Sequence, residues 1–291
     1  MKGHPVWRIE SQMPAGREFE IYHATHTTPQ PNVYHSHPFY EIYFILRGSI
    51  RVIAEEMDVT PVLGDGLIYP PNCMHRVTHT DPSQPYERFY IYLSKEFLAS
   101  ISTEGYNFVE ILDRLTSSSY CLQPGKQAVM DLVPMADEII EAARDTSPAG
   151  VLANRCRMVI YLIRLLGLLE ESVTSASEAP TSRMGDLISY INQNVVRELS
   201  LDHLEEVFGI SKYALLHEFK DYTGMSIYQY ILTRRIHHAQ QLIQQGAKPR
   251  EACAQSGFSD YTSFYRAFKA RTGKSPTQYG KTQPESKGNL S

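Results

Sequence analysis

At 291 residues, with 42% hydrophobic and 21% charged side chains, the chain is long enough for two globular domains that each bury a core. No apolar run approaches the roughly 18 residues needed to span a bilayer, MKGHPVWRIESQM lacks the apolar core of a signal peptide, and cysteines 73, 121, 156 and 253 form no C-x-x-C pair, so reduced thiols and a cytoplasmic location are expected. The net charge of −4 hides a division: residues 1–182 carry 14 Lys and Arg against 22 Asp and Glu, and residues 183–281 carry 13 against 9, a basic back that suits a polyanion.

From Val33 to Leu93 short β-prone runs alternate with turn signals: FYEIYFILRG, SIRVIAEE, DGLIYPPN and YERFYIYL. Several are apolar on both faces, as in a small barrel or sandwich. On an extended strand, residues of equal parity face one side. His35, His37 and Glu41 in NVYHSHPFYE are therefore expected to converge, and the turn at Pro70, Pro71 and Asn72 brings in His75. Three imidazoles and a carboxylate suit Zn, Ni, Mn or Fe with positions open for a ligand. The same four residues also suit a hydrogen-bonding pocket without metal. Tyr34, Phe39, Tyr43, Tyr69 and Tyr90 are available either to stack on a sugar or aromatic ligand or as plain core, and Cys73 reads as a small buried residue.

After Leu93 the spacing becomes helical, in VMDLVPMADEIIEAAR and LANRCRMVIYLIRLLGLLEE. YLIRLLGLL is too apolar to leave exposed on a monomer, so helices at about 128–172, with Leu165 and Leu169, are expected to form a homodimer. The small, polar SVTSASEAPTSR marks a linker over 173–183. The expected organisation is 1–172, linker, 184–281, and a disordered tail over 282–291.

The back third repeats itself. GISKYALLHEFKDYTGMSIYQY from Gly209 and GFSDYTSFYRAFKARTGKSPTQY from Gly257 share G-φ-S-x-Y, F-K, T-G, S and Q-Y. Each follows a short helical segment: SLDHLEEVF with Ser200 as N-cap, and PREACAQS with Pro249 at the tolerated first position. Helix, tight turn, helix is the DNA-reading pattern. Between the copies, IYQYILTRRIHHAQQLIQQG places Tyr228, Ile231, Leu232, Ala239, Leu242 and Ile243 on one apolar stripe ending at Gly246. Such a rod could hold two recognition helices about one DNA turn, ~34 Å, apart.

Residues from about Met184 to Lys281, above all SGFSDYTSFYRAFKARTGKSPTQY with RRIHHAQQLI ahead of it, closely resemble the DNA-binding domain of AraC/XylS-type transcription regulators. The resemblance implies two helix-turn-helix units joined by a helix, with operator DNA and RNA polymerase as partners. By position, Tyr213, Leu216 and His217 of the first unit and Tyr261, Thr262, Tyr265 and Arg266 of the second would face bases, Arg266 through a bidentate bond to guanine. Lys220, Lys269 and Arg271 would meet phosphates, while Phe219 and Phe268 are core. Three positions depart from the pattern. Glu205 stands for a small residue, and Ala252 and Ser256 stand for larger apolar ones, a loss of about 1–3 kcal/mol each that predicts a loosely packed second unit.

The front resembles a cupin. His35-x-His37-x3-Glu41-x6-Gly48 follows its first motif, and Gly64-x5-Pro70-x-Asn72-x2-His75 the second, with Asn72 in place of a glycine and His79 at the later Asn. The combined expectation is an α+β chain: a cupin-like β-barrel followed by dimerisation helices, then an all-α domain with two helix-turn-helix units. Its function would be DNA-binding regulation by a small-molecule effector, with carbohydrates among the candidates, held by His35, His37, Glu41, Tyr43 and His75. The alternative is a metal-dependent cupin isomerase or dioxygenase carrying a DNA-binding tail.

Overall fold

The computed structural model describes residues 13–14, 16–26, 34–55, 57–118, 120–173 and 182–281. Most of the linker and all of the 282–291 tail lie outside them. The described residues form two compact units, within 11–181 and 182–291.

In the first unit the strands are β1 (Phe19–His26), β2 (Tyr40–Arg47), β3 (Ile50–Ala54), β4 (Met57–Val59), β5 (Gly66–Tyr69), β6 (His75–His79) and β7 (Tyr86–Leu93). Helices α1 (Lys95–Ile101) and α2 (Phe108–Ser118), the short β8 (Cys121–Leu122), α3 (Lys126–Ala142) and α4 (Pro148–Val173) complete it. One antiparallel sheet runs β1-β7-β2-β5-β8 and a second runs β4-β3-β6. Alternation explains why β2 reads as apolar throughout. Its Tyr40, Ile42 and Phe44 join Phe89, Ile91 and Leu93 of β7 in a core shared with the helices. Its Tyr43 and Ile45 join Tyr86 and, from the second sheet, Ile50, Val52 and Ala54 in a core between the sheets.

Asn72, the departure from the glycine pattern, adopts φ 66°, and its N–H donates to the His37 carbonyl at 2.7 Å. Asparagine is the non-glycine residue that best tolerates this left-handed conformation. The turn survives the substitution.

Helix α4 requires a correction. Leu162, Leu165, Leu166 and Leu169 are fully buried against the unit's own sheet and helices, so Leu165 and Leu169 are intramolecular core and are not available as dimer contacts. A Cβ at Gly66 would lie 2.8 Å from the Phe44 ring and 3.3 Å from Leu169, so the glycine lets α4 close down on β5. The exposed apolar residues of α4 are instead Val151, Leu152, Ile160 and Ile163.

The second unit is helical: α5 (Arg183–Gln193), α6 (Leu201–Phe208), α7 (Lys212–Thr223), α8 (Ile227–Gln244), α9 (Pro249–Gln255), α10 (Tyr261–Thr272) and α11 (Pro276–Lys281). Starts and stops are written locally. The side chains of Ser200, Ser211, Ser226 and Asp260 accept from backbone N–H groups at the starts of α6, α7, α8 and α10, and Gly209, Gly224 and Gly273 end α6, α7 and α10 in the left-handed conformation. The α8 stripe is corrected in two ways. Tyr228 is 73% exposed, and the buried face includes polar Thr233, His237 and Gln240.

Two of the departures from the family pattern also find a physical account. Ala252 and Ser256 are fully buried, and Ala252 joins Ile236, Ala239, Cys253, Phe264 and Phe268 in one cluster. The Ser256 hydroxyl donates to the Ala252 carbonyl at 2.5 Å, so its polar atom is satisfied. Small residues here let α9 pack closely, in place of the expected looseness. Glu205 accepts from the Lys212 backbone N–H at 3.2 Å, tying α6 to the start of α7.

Candidate functional site

The two helices expected to read DNA, α7 and α10, each bury one aromatic stripe and turn the opposite one outward. Leu215 and Phe219 of α7 and Phe264 and Phe268 of α10 are fully buried. Exposed on α7 are Tyr213, at 78%, and Leu216, with His217 and Lys220 beside them. Exposed on α10 are Thr262, Tyr265, Arg266 and Lys269, together with Ser263 and Ala270. Tyr261 is only half-buried, with its ring 5.6 Å from Phe264 and the Arg250 guanidinium 5.4 Å over it. Arg271 turns inward, its Nε 3.5 Å from Thr233 Oγ1 on α8, which sets it apart from Lys220 and Lys269 as a phosphate contact. His217 Nδ1 lies 2.9 Å from Asp221.

In the first unit the four residues singled out by spacing do meet, though not by strand parity alone. The chain bends at Pro38 and Phe39 and β2 begins only at Tyr40, so His35, His37 and Glu41 are not on one continuous strand. His35 is placed by a β-bridge to His75, each backbone N–H donating to the other's carbonyl at 2.9 Å. One nitrogen from each of His35, His37 and His75 can be chosen so that all lie within 4.8 Å of one another. Glu41 Oε2 stands 2.8 Å from His37 Nε2 and 3.3 Å from His75 Nε2.

The electrostatics are unusual. Burial by itself would raise the Glu41 carboxyl, but hydrogen bonds from His37 and His75 hold it well below the usual carboxylate range. Burial pushes the His37 imidazolium down, outweighing the help from Glu41. Yet His37 Nδ1 faces the Phe39 carbonyl at 3.0 Å and His75 Nδ1 faces the Cys73 carbonyl at 3.1 Å. Carbonyls and carboxylates only accept, and a neutral imidazole has one N–H. Each of these two rings is therefore faced by acceptors at both nitrogens, and in His37 burial disfavours the second proton. With Nδ1–H fixed on a backbone carbonyl, the Nε2 lone pair is aimed at the centre, the usual arrangement around a bound metal. The residues present fit a transition-metal ion.

Tyr69 stacks flat on His75, with ring centroids 4.0 Å apart, and Phe39 stacks on His37 at 4.1 Å. Tyr43 and Tyr90 face each other across β2 and β7, with ring centroids 6.3 Å apart. Tyr34 is buried, and Cys73 lies in the core between the sheets. Sequence reasoning missed Arg88, Tyr86 and the placement of His79. The even-numbered row of YERFYIYL, with one arginine among tyrosines, carried the signal.

The two units correspond to two matched families. Residues 18–152 match an AraC-like ligand binding domain and residues 204–282 match a helix-turn-helix domain. The probable transcriptional regulator LumQ of Photobacterium leiognathi is 25% identical over 256 residues, 87% of this chain and 94% of that protein. The right origin-binding protein of Escherichia coli (strain K12) is 33% identical over 95 residues, 32% of this chain and 33% of that protein. Among solved structures, ToxT of Vibrio cholerae aligns over 90% of this chain and 97% of its own at 13% identity, with a TM-score of 0.37 that is too low to carry weight. An AraC-like ligand-binding segment followed by a helix-turn-helix segment makes this chain a DNA-binding transcription regulator of the AraC family.

Proposed function

We propose that a small molecule held between the two sheets of the first unit controls promoter binding by the second, in a homodimer that also engages RNA polymerase. The observation that carries this reading is the cluster of half-buried His35 with buried His37, Glu41 and His75 inside the ligand-binding domain, beside Tyr43. A ligand shifts an equilibrium only by its differential affinity for two states. Those states would differ in how the linker, proposed over 173–183, lets two copies of 184–281 sit on paired sites, with 1–172 sensing and dimerising. Tyr213, Leu216, His217, Tyr261, Thr262, Tyr265 and Arg266 are proposed to face bases, and Lys220 and Lys269 phosphates. Relatives named as transcription regulators support a sensor and not a catalyst.

The test is operator selection from genomic fragments, then binding measured with and without candidate effectors. His37→Ala should abolish the response to effector while leaving DNA binding intact. DNA binding that no small molecule alters, or turnover by the first unit, would overturn the reading.

A second reading concerns the cluster itself: it holds Zn, Ni, Mn or Fe through His35, His37, Glu41 and His75. Its support is that His37 and His75 each face a backbone carbonyl on one ring nitrogen and the Glu41 carboxylate on the other, a conflict that a cation among the four ligands removes. When bound, the ion would supply an open coordination position for an effector oxygen. Elemental analysis of protein purified without chelator or nickel resin tests it. Less than about 0.1 equivalent after reconstitution would make the four residues a hydrogen-bonding pocket, given that a built site retains metal through many exchanges.

A further inference from the structure

The inner face of β7 carries Tyr86, Arg88 and Tyr90 in a row. The Arg88 guanidinium carbon lies 5.7, 4.9 and 5.1 Å from the ring centroids of Tyr43, Tyr86 and Tyr90. Among the described residues Arg88 makes no ion pair, and its Nε is buried without a hydrogen-bond acceptor. Directly across the ladders from it stand Ala24 and Ile45, which offer none. Aromatic faces attract the cation but provide no lone pair in the plane of its fork.

Other groups share this deficit. The hydroxyls of Tyr43, 3% exposed, and Tyr69, fully buried, have no partner, and neither ring nitrogen of His79 has one. His79 packs on Tyr86 at 5.4 Å, while Tyr69 stacks on His75, so the unpartnered groups run from the arginine toward the histidine cluster. Buried polar groups are normally paired, and each one left unpaired is destabilising. Several left unmade around one cation point to a missing anion with several acceptor sites.

We infer that the interior between the sheets takes a small monocarboxylate, its carboxylate on Arg88 with donors from Tyr43 and His79, and its planar or apolar body between Tyr86 and Tyr90. This rests on the reading that the interior is the sensing site, and it names the effector class. A neutral sugar would leave the guanidinium without a counter-ion. Burial pushes the Tyr86 and Tyr90 phenols upward, and the Arg88 charge beside them works against that rise. Arginine with a carboxylate forms paired, parallel N–H to oxygen bonds, the geometry that best uses a single half-buried guanidinium.

The experiment uses the full chain and matched pairs of probes: benzoate with benzamide, and phenylacetate with phenylacetamide, plus L-arabinose and D-xylose as neutral sugars. Calorimetry should show at least one acid binding ten-fold or more tightly than its amide, with Arg88→Gln losing that preference. Without ligand, Arg88→Met should melt no lower than the parent, because it removes a charge that has no counter-ion. A melting temperature several degrees lower would make Arg88 a structural partner and overturn the inference. So would acids binding no better than amides, or acid binding unchanged in Arg88→Gln. If neutral compounds bind and His37→Ala abolishes that binding, only the carboxylate class falls. If no probe binds, or His37→Ala leaves binding unchanged, the sensing reading falls with it.

Discussion

Ile163 and Leu165 lie two residues apart on α4, yet Ile163 is 49% exposed and Leu165 is fully buried. The helix is apolar nearly all round, and only one side meets the sheet. Leu152, at 61%, Ile160, at 54%, and Ile163 leave an apolar face without cover in the single chain, and Cys156 is exposed on the same helix. An uncovered face of this kind is the surface to test for self-association.

Ile160→Asp with Ile163→Asp should yield a folded monomer that occupies one half-site. Leu165→Ala should instead lower stability by about 2–5 kcal/mol without selective loss of dimer. Sedimentation and thermal melts separate the two. A dimer that survives the double aspartate variant would remove α4 from the interface.

Glu41 accepts from His37 and lies within reach of His75, all three buried. Glu41→Ala removes the group both rings face and should cost about 3–5 kcal/mol, the usual loss when one partner of a buried charged network is deleted. Glu41→Gln, similar in shape, should cost less. Denaturant midpoints will show whether that order holds; equal losses would mean that shape, and not charge, matters there.

Arg266 and Lys269 are both exposed on α10, three residues apart. Arg266→Ala should cost about 1–3 kcal/mol of DNA affinity and relax choice at one base position, whereas Lys269→Ala should weaken binding to all sequences and flatten the salt dependence by about one unit. Binding titrations at several salt concentrations on randomised operators read both effects. If Lys269→Ala changed base preference instead, the assigned roles would be exchanged.

His237 is buried in the middle of α8, and burial, with the charges of Arg234 and Arg271, pushes its imidazolium down to about 3. Its unfolded value is near 6.5, so between about pH 6.5 and 3 the unfolded chain binds the extra proton. Stability from this group is complete above that window and falls as pH drops through it, by roughly 4 kcal/mol at the lower end. Hydrogen exchange of the α8 amides should accelerate below pH 6.5, and His237→Leu should flatten that dependence. No difference between parent and variant would show that another group governs the acid response.

The sequence by itself determined the parts whose cause is local. Serine and aspartate caps, glycine stops and the repeated G-φ-S-x-Y segments fix α6, α7, α8 and α10 within a few residues, because a cap or a left-handed glycine acts over one helical turn. The spacing of His35, His37, Glu41 and His75 likewise foretold a cluster. The route was different: a bridge between His35 and His75 and a bend before Tyr40 do what a continuous strand was expected to do. Only the tertiary structure decided which side of α4 is core, since an all-round apolar helix carries no stripe to choose by and the choice belongs to β5 and Gly66. The same holds for Tyr228, outward on α8 while Thr233, His237 and Gln240 turn in. It holds most of all for Arg88. In the sequence it is one basic residue in an alternating strand, and its lack of a counter-ion emerges only when β1, β2 and β7 pair and place Ala24 and Ile45 beside it. Pairing across strands is a long-range relationship, and no window of neighbouring residues contains it.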